Sequence, residues 1–158
     1  MELHPSAQRF QDELQRLGTA AVVRQLDSTT RSAADAAAAV GCSVGQIAKS
    51  LIFRGQSSGA AILVITSGAN RVDEGAVGER IGEAIGRAEA AFVREATGFA
   101  IGGVPPLGHA KRLATYFDED LLGYATIWAA AGTPNAVFEI DPAELLRLCQ
   151  AIKIRVKL

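Results

Sequence analysis

The sequence predicts an α+β domain: a mixed, largely antiparallel sheet of about six or seven strands, curled and flanked by helices. Three observations lead there. Short apolar runs of strand length recur along the chain, but helices do not separate them in strict βαβ alternation. The helical stretches carry their own start and stop residues: Ser, Asp or Pro before them and Gly after them. A stretch dense in glycine and proline, Thr97 to His109, interrupts the pattern and organises the segments around it.

The elements are justified in order. Pro5 to Leu17 suits a helix, with Phe10, Leu14 and Leu17 at helical spacing and Gly18 as its stop. His4, in the terminal segment before it, is expected to be solvated. Ala20 to Val23 is a short apolar run of strand character, and Ser28 to Arg31 reads as a loop. Ser32 with Asp35 resembles a capping box, opening an alanine-rich helix over Ala33 to Val40 that Gly41 ends. Ser43 and Gln46 repeat that pattern. Lys49 to Phe53 and Ala60 to Thr66 read as two strands of a hairpin joined by G-Q-S-S-G. Asp73 N-caps a helix carrying Val77 and Ile81, and a further helix lies around Glu89 to Ala96.

Gly98 caps that helix, and Phe99 to Ile101 reads as a strand entering Gly102-Gly103. Pro105-Pro106 fixes φ twice and removes two N–H donors, so the chain must turn away. Leu113 to Phe117, Ala125 to Ala130 and Ala136 to Ile140 are strands. Asp118-Glu119-Asp120 is a solvated turn or helix start, and Gly132-Thr133-Pro134-Asn135 is a second sharp turn. Asp141 and Pro142 open a last helix bearing Leu145, Leu146 and Leu148, and I-K-I-R-V-K-L ends the chain as a half-buried strand. No linker or repeat interrupts residues 1–158, so one domain is expected.

Composition narrows the function. Apolar residues make up 49%, which is globular rather than disordered. The N-terminus has no apolar run after its charges, and no apolar stretch reaches membrane-spanning length, so a cytoplasmic protein without membrane association is expected. Two cysteines, Cys42 and Cys149, lie far apart, and no histidine pair stands at metal spacing. Neither a metal nor a cofactor is expected. A net charge of −1 argues against tight non-specific nucleic-acid binding, though not against an enzyme that touches one end of a nucleic acid.

Four places carry candidate chemistry. Main-chain N–H groups in the loop holding Gly102, Gly103 and Gly108 suit a phosphate, a carboxylate or a developing oxyanion, unless the loop is simply a tight turn. Lys49 either snorkels from a strand end or supplies a cation for a phosphate or carbonyl oxygen. His109, at the loop's rim, is placed to hold a water or a ribose hydroxyl. Gly132, Thr133 and Asn135 form either a second wall of a site or a plain turn. G-x-x-x-x-G-K-[ST] and G-x-S-x-G are absent. Hydrolysis would therefore rely on positioning and on N–H groups aimed at an oxyanion.

Three segments together, I-A-K-S-L-I-F (Ile47 to Phe53), T-G-F-A-I-G-G-V-P-P-L-G-H (Thr97 to His109) and A-A-G-T-P-N-A-V-F (Ala130 to Phe138), resemble the YbaK and prolyl-tRNA synthetase editing-domain family. The resemblance implies a single YbaK-like α+β domain around a partly barrel-like sheet. It implies a free-standing deacylase that hydrolyses the ester of mischarged tRNA, chiefly tRNA for proline carrying alanine, 2-aminobutyrate or cysteine. It matches Lys49 to the family's functional lysine, Gly102, Gly103 and Gly108 to its substrate loop, and Gly132 with Thr133 to its downstream turn. No tyrosine stands around Val23 to Ser28, where cysteine-clearing members place one. Mischarged tRNA is the implied partner, and prolyl-tRNA synthetase an aid to weak tRNA binding. A catalytically inactive, synthetase-associated module of the same fold is the alternative.

Overall fold

The structure is a computed structural model and describes residues 2–27 and 32–158. Its helices are α1 (Pro5–Arg16), α2 (Ala33–Val40), α3 (Glu74–Ile81), α4 (Ala90–Thr97) and α5 (Pro142–Cys149). Its strands are β1 (Val23–Gln25), β2 (Ile47–Gly55), β3 (Ala61–Ser67), β4 (Ile85–Arg87), β5 (Ala114–Asp118), β6 (Ile127–Ala130), β7 (Ala136–Ile140) and β8 (Ile152–Ile154). They form one α+β domain with a single mixed sheet in the order β1-β7-β6-β2-β3-β5-β8, with β4 paired to β2.

The sheet is built outward from the β2–β3 hairpin. Antiparallel pairing runs from Ala48↔Ser67 to Arg54↔Ala61. β6 then adds parallel to β2, and β5 adds parallel to β3. Central β3 is apolar on both faces, as a strand covered on both sides must be: Leu63, Val64 and Ile65 are completely buried. The larger core gathers Phe10 and Leu14 of α1 against Phe117 and Phe138, the Phe10 and Phe138 rings standing 5.0 Å apart at a tilt. Among the described residues no helix is long and apolar enough to cross a membrane.

Most helix boundaries follow the local chemistry. Ser32, Asp73 and Asp141 each accept a hydrogen bond from a first-turn N–H, and Gly41, Gly82 and Gly98 end their helices in the left-handed region. The expected loop at Ser28 to Arg31 lies outside the described residues.

Several expectations differ from the structure. Phe99 to Ile101 is not a strand. Gly98 and Gly102 adopt φ of 82° and 96°, and the Gly103 N–H donates to Ala100 O at 3.1 Å, so the segment is a closed turn with no ladder. β4, unforeseen, is only three residues long and too short to show periodicity. The first strand lies at Val23–Gln25, two to three residues later than its apolar run suggests, because Arg24 and Gln25 pair with Val137 and Ala136.

Asp118-Glu119-Asp120 is a helix start, Asp118 capping a 3-10 turn over Glu119–Gly123 by accepting from the Asp120 N–H at 2.9 Å, but Asp118 itself is not solvated. It is 1% exposed and accepts from the Ser67 N–H at 2.9 Å, Asn70 Nδ2 at 2.9 Å and Thr66 Oγ1 at 3.2 Å. His4 is exposed, yet it also caps α1, its Nδ1 accepting from the Ser6 N–H at 3.1 Å. In the C-terminal tail the ladder stops at Ile154; Ile152 is 59% exposed and Val156 fully buried.

Candidate active site

The site grows out of an interrupted ladder on β2. On the side away from β3, β6 pairs only with Ile47 and Ala48, and β4 pairs only from Phe53 onward. Among the described residues the stretch between has no strand beside it on that side. The Gly55 N–H donates to Ala60 O across the β3 side, whereas the Gln56 N–H donates to Ala84 O on the other. Main-chain groups alternate sides along an antiparallel strand, so those of Ser50 point into the gap. The Ser50 hydroxyl is also buried, and among the described residues it has no hydrogen-bond partner. Unpaired polar groups of this kind are rare in folded proteins and mark the gap as a place with unused bonding capacity.

Lys49 stands at the same place. It is half-buried, and among the described residues it makes no hydrogen bond or ion pair. The turn of Ile101 to Val104 lies over the gap and divides it into two cavities. Lys49, Ser50, Leu51, Ile101, Gly102 and Val104 line both. The first, about 410 Å³, is walled by Ala33, Ala36 and Val40 of α2 and by Trp128, Ala129 and Val137. Its lining is mostly apolar, with Lys49 as its one cation among the described residues. Arg24 lies over the Trp128 ring at 5.2 Å, steadying that wall from outside. The second, about 460 Å³, is more polar, with Asn70, Arg71, Glu74 and Arg87 on its rim.

The glycine loop is held from behind. The Thr97 hydroxyl donates to Val93 O and receives the Phe99 N–H. Pro105 O accepts from His109 Nε2 at 2.7 Å, and Pro106 O from Cys149 Sγ at 3.3 Å. A carbonyl only accepts, so His109 carries its proton on Nε2 there. Burial lowers the His109 pKa below the ordinary 6.5, with the Pro105 bond opposing. Burial alone pushes the Cys149 thiol up to about 12, so it stays protonated and inert.

The residues singled out by sequence do not all meet at one cavity. Lys49 and Gly102 do. Gly103 backs onto the second turn, and a Cβ there would come within 2.8 Å of Thr133 Cα. Its glycine identity thus has a packing reason, while its N–H is taken by Ala100 O. Gly132, Thr133 and Asn135 line a separate cavity of about 420 Å³ with His4, Gln25 and Arg94. Gly108 rests against Phe10 and Glu13 of α1, and His109 follows it as the clamp on Pro105.

Sequence reasoning missed the alanine wall, Trp128, the unpaired Ser50 and the two rim arginines. An alanine-rich helix gives no hint of what its small faces border. A gap in a ladder becomes visible only when strand registers are known.

Comparison with known proteins fits this geometry. The family model described as Aminoacyl-tRNA editing domain matches residues 27–148. "Uncharacterized protein YwhH" of Bacillus subtilis (strain 168) is 32% identical over 123 residues, which is 78% of each chain. A crystal structure described as "a putative trans-editing enzyme for prolyl tRNA synthetase" superposes with a TM-score of 0.93 at 48% identity over 99% of both chains. That of "hypothetical protein APE2540" does so with 0.86 at 28% identity, over 94% of this chain and 98% of the other. With the matched region spanning α2, Lys49, the glycine loop and both turns, the chain belongs to the aminoacyl-tRNA editing domain family.

Proposed function

We propose that this protein is a free-standing deacylase that hydrolyses the ester of a mischarged tRNA, with tRNA for proline bearing alanine, 2-aminobutyrate or cysteine as its substrate. The observation that carries the reading is that Lys49, which makes no ion pair among the described residues, lines an alanine-walled cavity together with Gly102 of the loop. The family supports editing of aminoacyl-tRNA. The relative described as "a putative trans-editing enzyme for prolyl tRNA synthetase" supports the choice of tRNA and a synthetase as partner.

In this reading the amino-acid side chain enters the apolar chamber and the terminal ribose lies under the loop. The ester carbonyl then sits between the Lys49 ammonium and the Gly102 N–H, groups aimed at the charge that develops when water attacks. An aminoacyl ester is already activated, and the ribose hydroxyl beside it takes part in moving the proton. The reaction needs neither a metal nor a covalent nucleophile. The walls select by size: each added methylene that must be forced against Ala36 or Ala129 costs about 1–3 kcal/mol. In this reading the cognate prolyl ester is rejected because its ring would be pressed against the alanine wall when the ester carbonyl is in place.

The test is a deacylation panel. tRNA for proline is charged in turn with alanine, 2-aminobutyrate, cysteine, serine and proline, and ester loss is followed with time. Rapid loss of the small non-cognate esters and persistence of the prolyl ester is expected. Persistence of all five would leave the inactive synthetase-associated module as the reading.

A further inference from the structure

The second cavity has no role in the reaction just described, and its charge differs from that of the molecule. The chain carries a net charge of −1, but this cavity is rimmed by Lys49, Arg71 and Arg87 with Glu74 as the only carboxylate among its lining residues. Arg71 and Arg87 are exposed, and among the described residues neither makes a hydrogen bond or an ion pair. Six other arginines are committed, whereas the side chains of Arg94, Arg112 and Arg147, which lie outside this cavity, also make no hydrogen bond or ion pair among the described residues. Arg80 donates to the carbonyls of Arg155 and Lys157, Arg155 donates to Leu158 O, and Arg16 pairs with Glu13. Arg9, Arg24 and Arg54 lie over Phe99, Trp128 and Phe92. The cavity thus gathers two uncommitted forked donors from separate parts of the chain. Arg71 comes from the segment before α3, and Arg87 from β4 beside Phe53.

Guanidinium forks of this kind match the paired oxygens of a phosphodiester. Lys49, Ile101 and Gly102 are shared with the amino-acid chamber, so an occupant here lies directly beside whatever enters there. Resting on the deacylase reading above, we infer that this cavity is a subsite for the phosphates of the single-stranded 3′ end of the tRNA. Arg71 and Arg87 hold the phosphodiesters on the 5′ side of the terminal ribose, and Lys49 stands at the junction. Neither arginine takes part in the ester chemistry. They bind the strand and leave the hydrolytic step alone, which explains how a protein of net negative charge grips an RNA end without a broad basic face.

The test compares the wild type with Arg71→Ala, Arg87→Ala, the double variant, and Arg112→Ala as a control. Arg112 is an exposed arginine beside Thr115 and Ile152 on another cavity, and its loss changes net charge equally. With alanyl-tRNA, KM is expected to rise about tenfold for each cavity arginine removed, with kcat unchanged. The dependence of log kcat/KM on log salt should flatten by about 0.7 per arginine. Alanyl-adenosine, which has no phosphate, should be cleaved equally by all five proteins.

Unchanged KM and salt slope in the double variant would overturn the subsite while leaving the deacylase reading intact. So would an equal effect of Arg112→Ala, or an equal loss on alanyl-adenosine. Binding of a fluorescent CCA trinucleotide, read by anisotropy, separates the two questions should the wild type release no amino acid. Binding to the wild type and loss in the double variant supports the subsite. No binding, or affinity no better than for AMP, overturns it.

Discussion

Lys49 illustrates how one side chain's surroundings decide its part. A lysine that forms no ion pair among the described residues contributes little through pairing, and its half-buried stem is its structural return. Lys49→Ala should therefore leave thermal stability within about 0.5 kcal/mol of the wild type. Release of alanine from alanyl-tRNA should fall by a factor on the order of 100. Single-turnover deacylation with a parallel melting curve checks both, and full activity of the variant would remove the ammonium from the reaction.

Ser50, its neighbour, makes the opposite kind of prediction. A hydroxyl buried without a partner is a cost, so Ser50→Ala should be neutral or stabilising by up to about 1 kcal/mol, read from urea unfolding.

His109 brings in pH. Its folded pKa is depressed by burial, so the unfolded chain binds the proton more readily. The stability this neutral imidazole contributes is complete above about 6.5 and is lost as pH falls toward the depressed folded value. Between pH 7 and 5 the wild type should lose more stability than His109→Gln, which keeps a donor for Pro105 O and has no proton to take up. Parallel slopes for the two proteins would show that this ring does not titrate on unfolding.

At the scale of elements, the two glycine turns behave as one piece. The Gly103 backbone packs on Thr133, and Gly132 packs on the Ser6 carbonyl, where a Cβ would approach to 2.8 Å. Gly132 also has φ of 104°, a region that side chains resist. Gly103→Ala has ordinary φ but would drive its methyl into backbone, so the turns must separate. A stability loss of roughly 1–3 kcal/mol and a marked drop in deacylation are expected together. If activity alone fell, the glycine would be serving the ligand and not the packing of one turn on the other.

This element pair also shows what sequence made legible. Caps and stops were readable because they are local: Ser32, Asp73 and Asp141 each bond within three residues, and Gly41 and Gly98 need only their own φ. The glycine turns were found for the same reason. That Gly103 faces Thr133, and that Gly108 faces α1 and not the lysine, depends on contacts between residues far apart in the chain. Phe99 to Ile101 was misread as a strand because an apolar run says nothing about whether a ladder partner exists.

For the whole molecule, the question is what keeps the gap in β2 open and its two sides in register. β3 runs along the full length of β2 opposite the gap, and its far end is tied down by Asp118 at the end of β5. That carboxylate takes the Ser67 N–H and the Thr66 hydroxyl from β3 and the Asn70 amide from the segment leading to Arg71. Asn70 also donates to Asp120, which pairs with Lys157 near the C-terminus at 2.9 Å. One buried acid therefore joins the central hairpin to the rim of the second cavity, and Asp120, through Asn70, extends the network to Lys157.

The Asp-Glu-Asp run reads as a solvated turn or a helix start, and the local bond from the Asp120 N–H, which caps the turn of helix over Glu119–Gly123, fits the second; the donors from Thr66, Ser67 and Asn70 lie about fifty positions away, where no local rule reaches. Removing the acid would strand the buried Ser67 N–H and leave the Thr66 hydroxyl only its longer bond to Ser67 O at 3.4 Å. Asp118→Ala should cost about 3 kcal/mol, or roughly 10 °C in Tm. Asp118→Asn keeps an acceptor oxygen toward Ser67 and should lose about half as much. Because the Asn70 segment carries Arg71, the alanine variant should also raise KM for alanyl-tRNA at temperatures well below its melting point. A variant that melts early but keeps wild-type KM when folded would show that the network holds the sheet alone and leaves the cavity rim to hold itself.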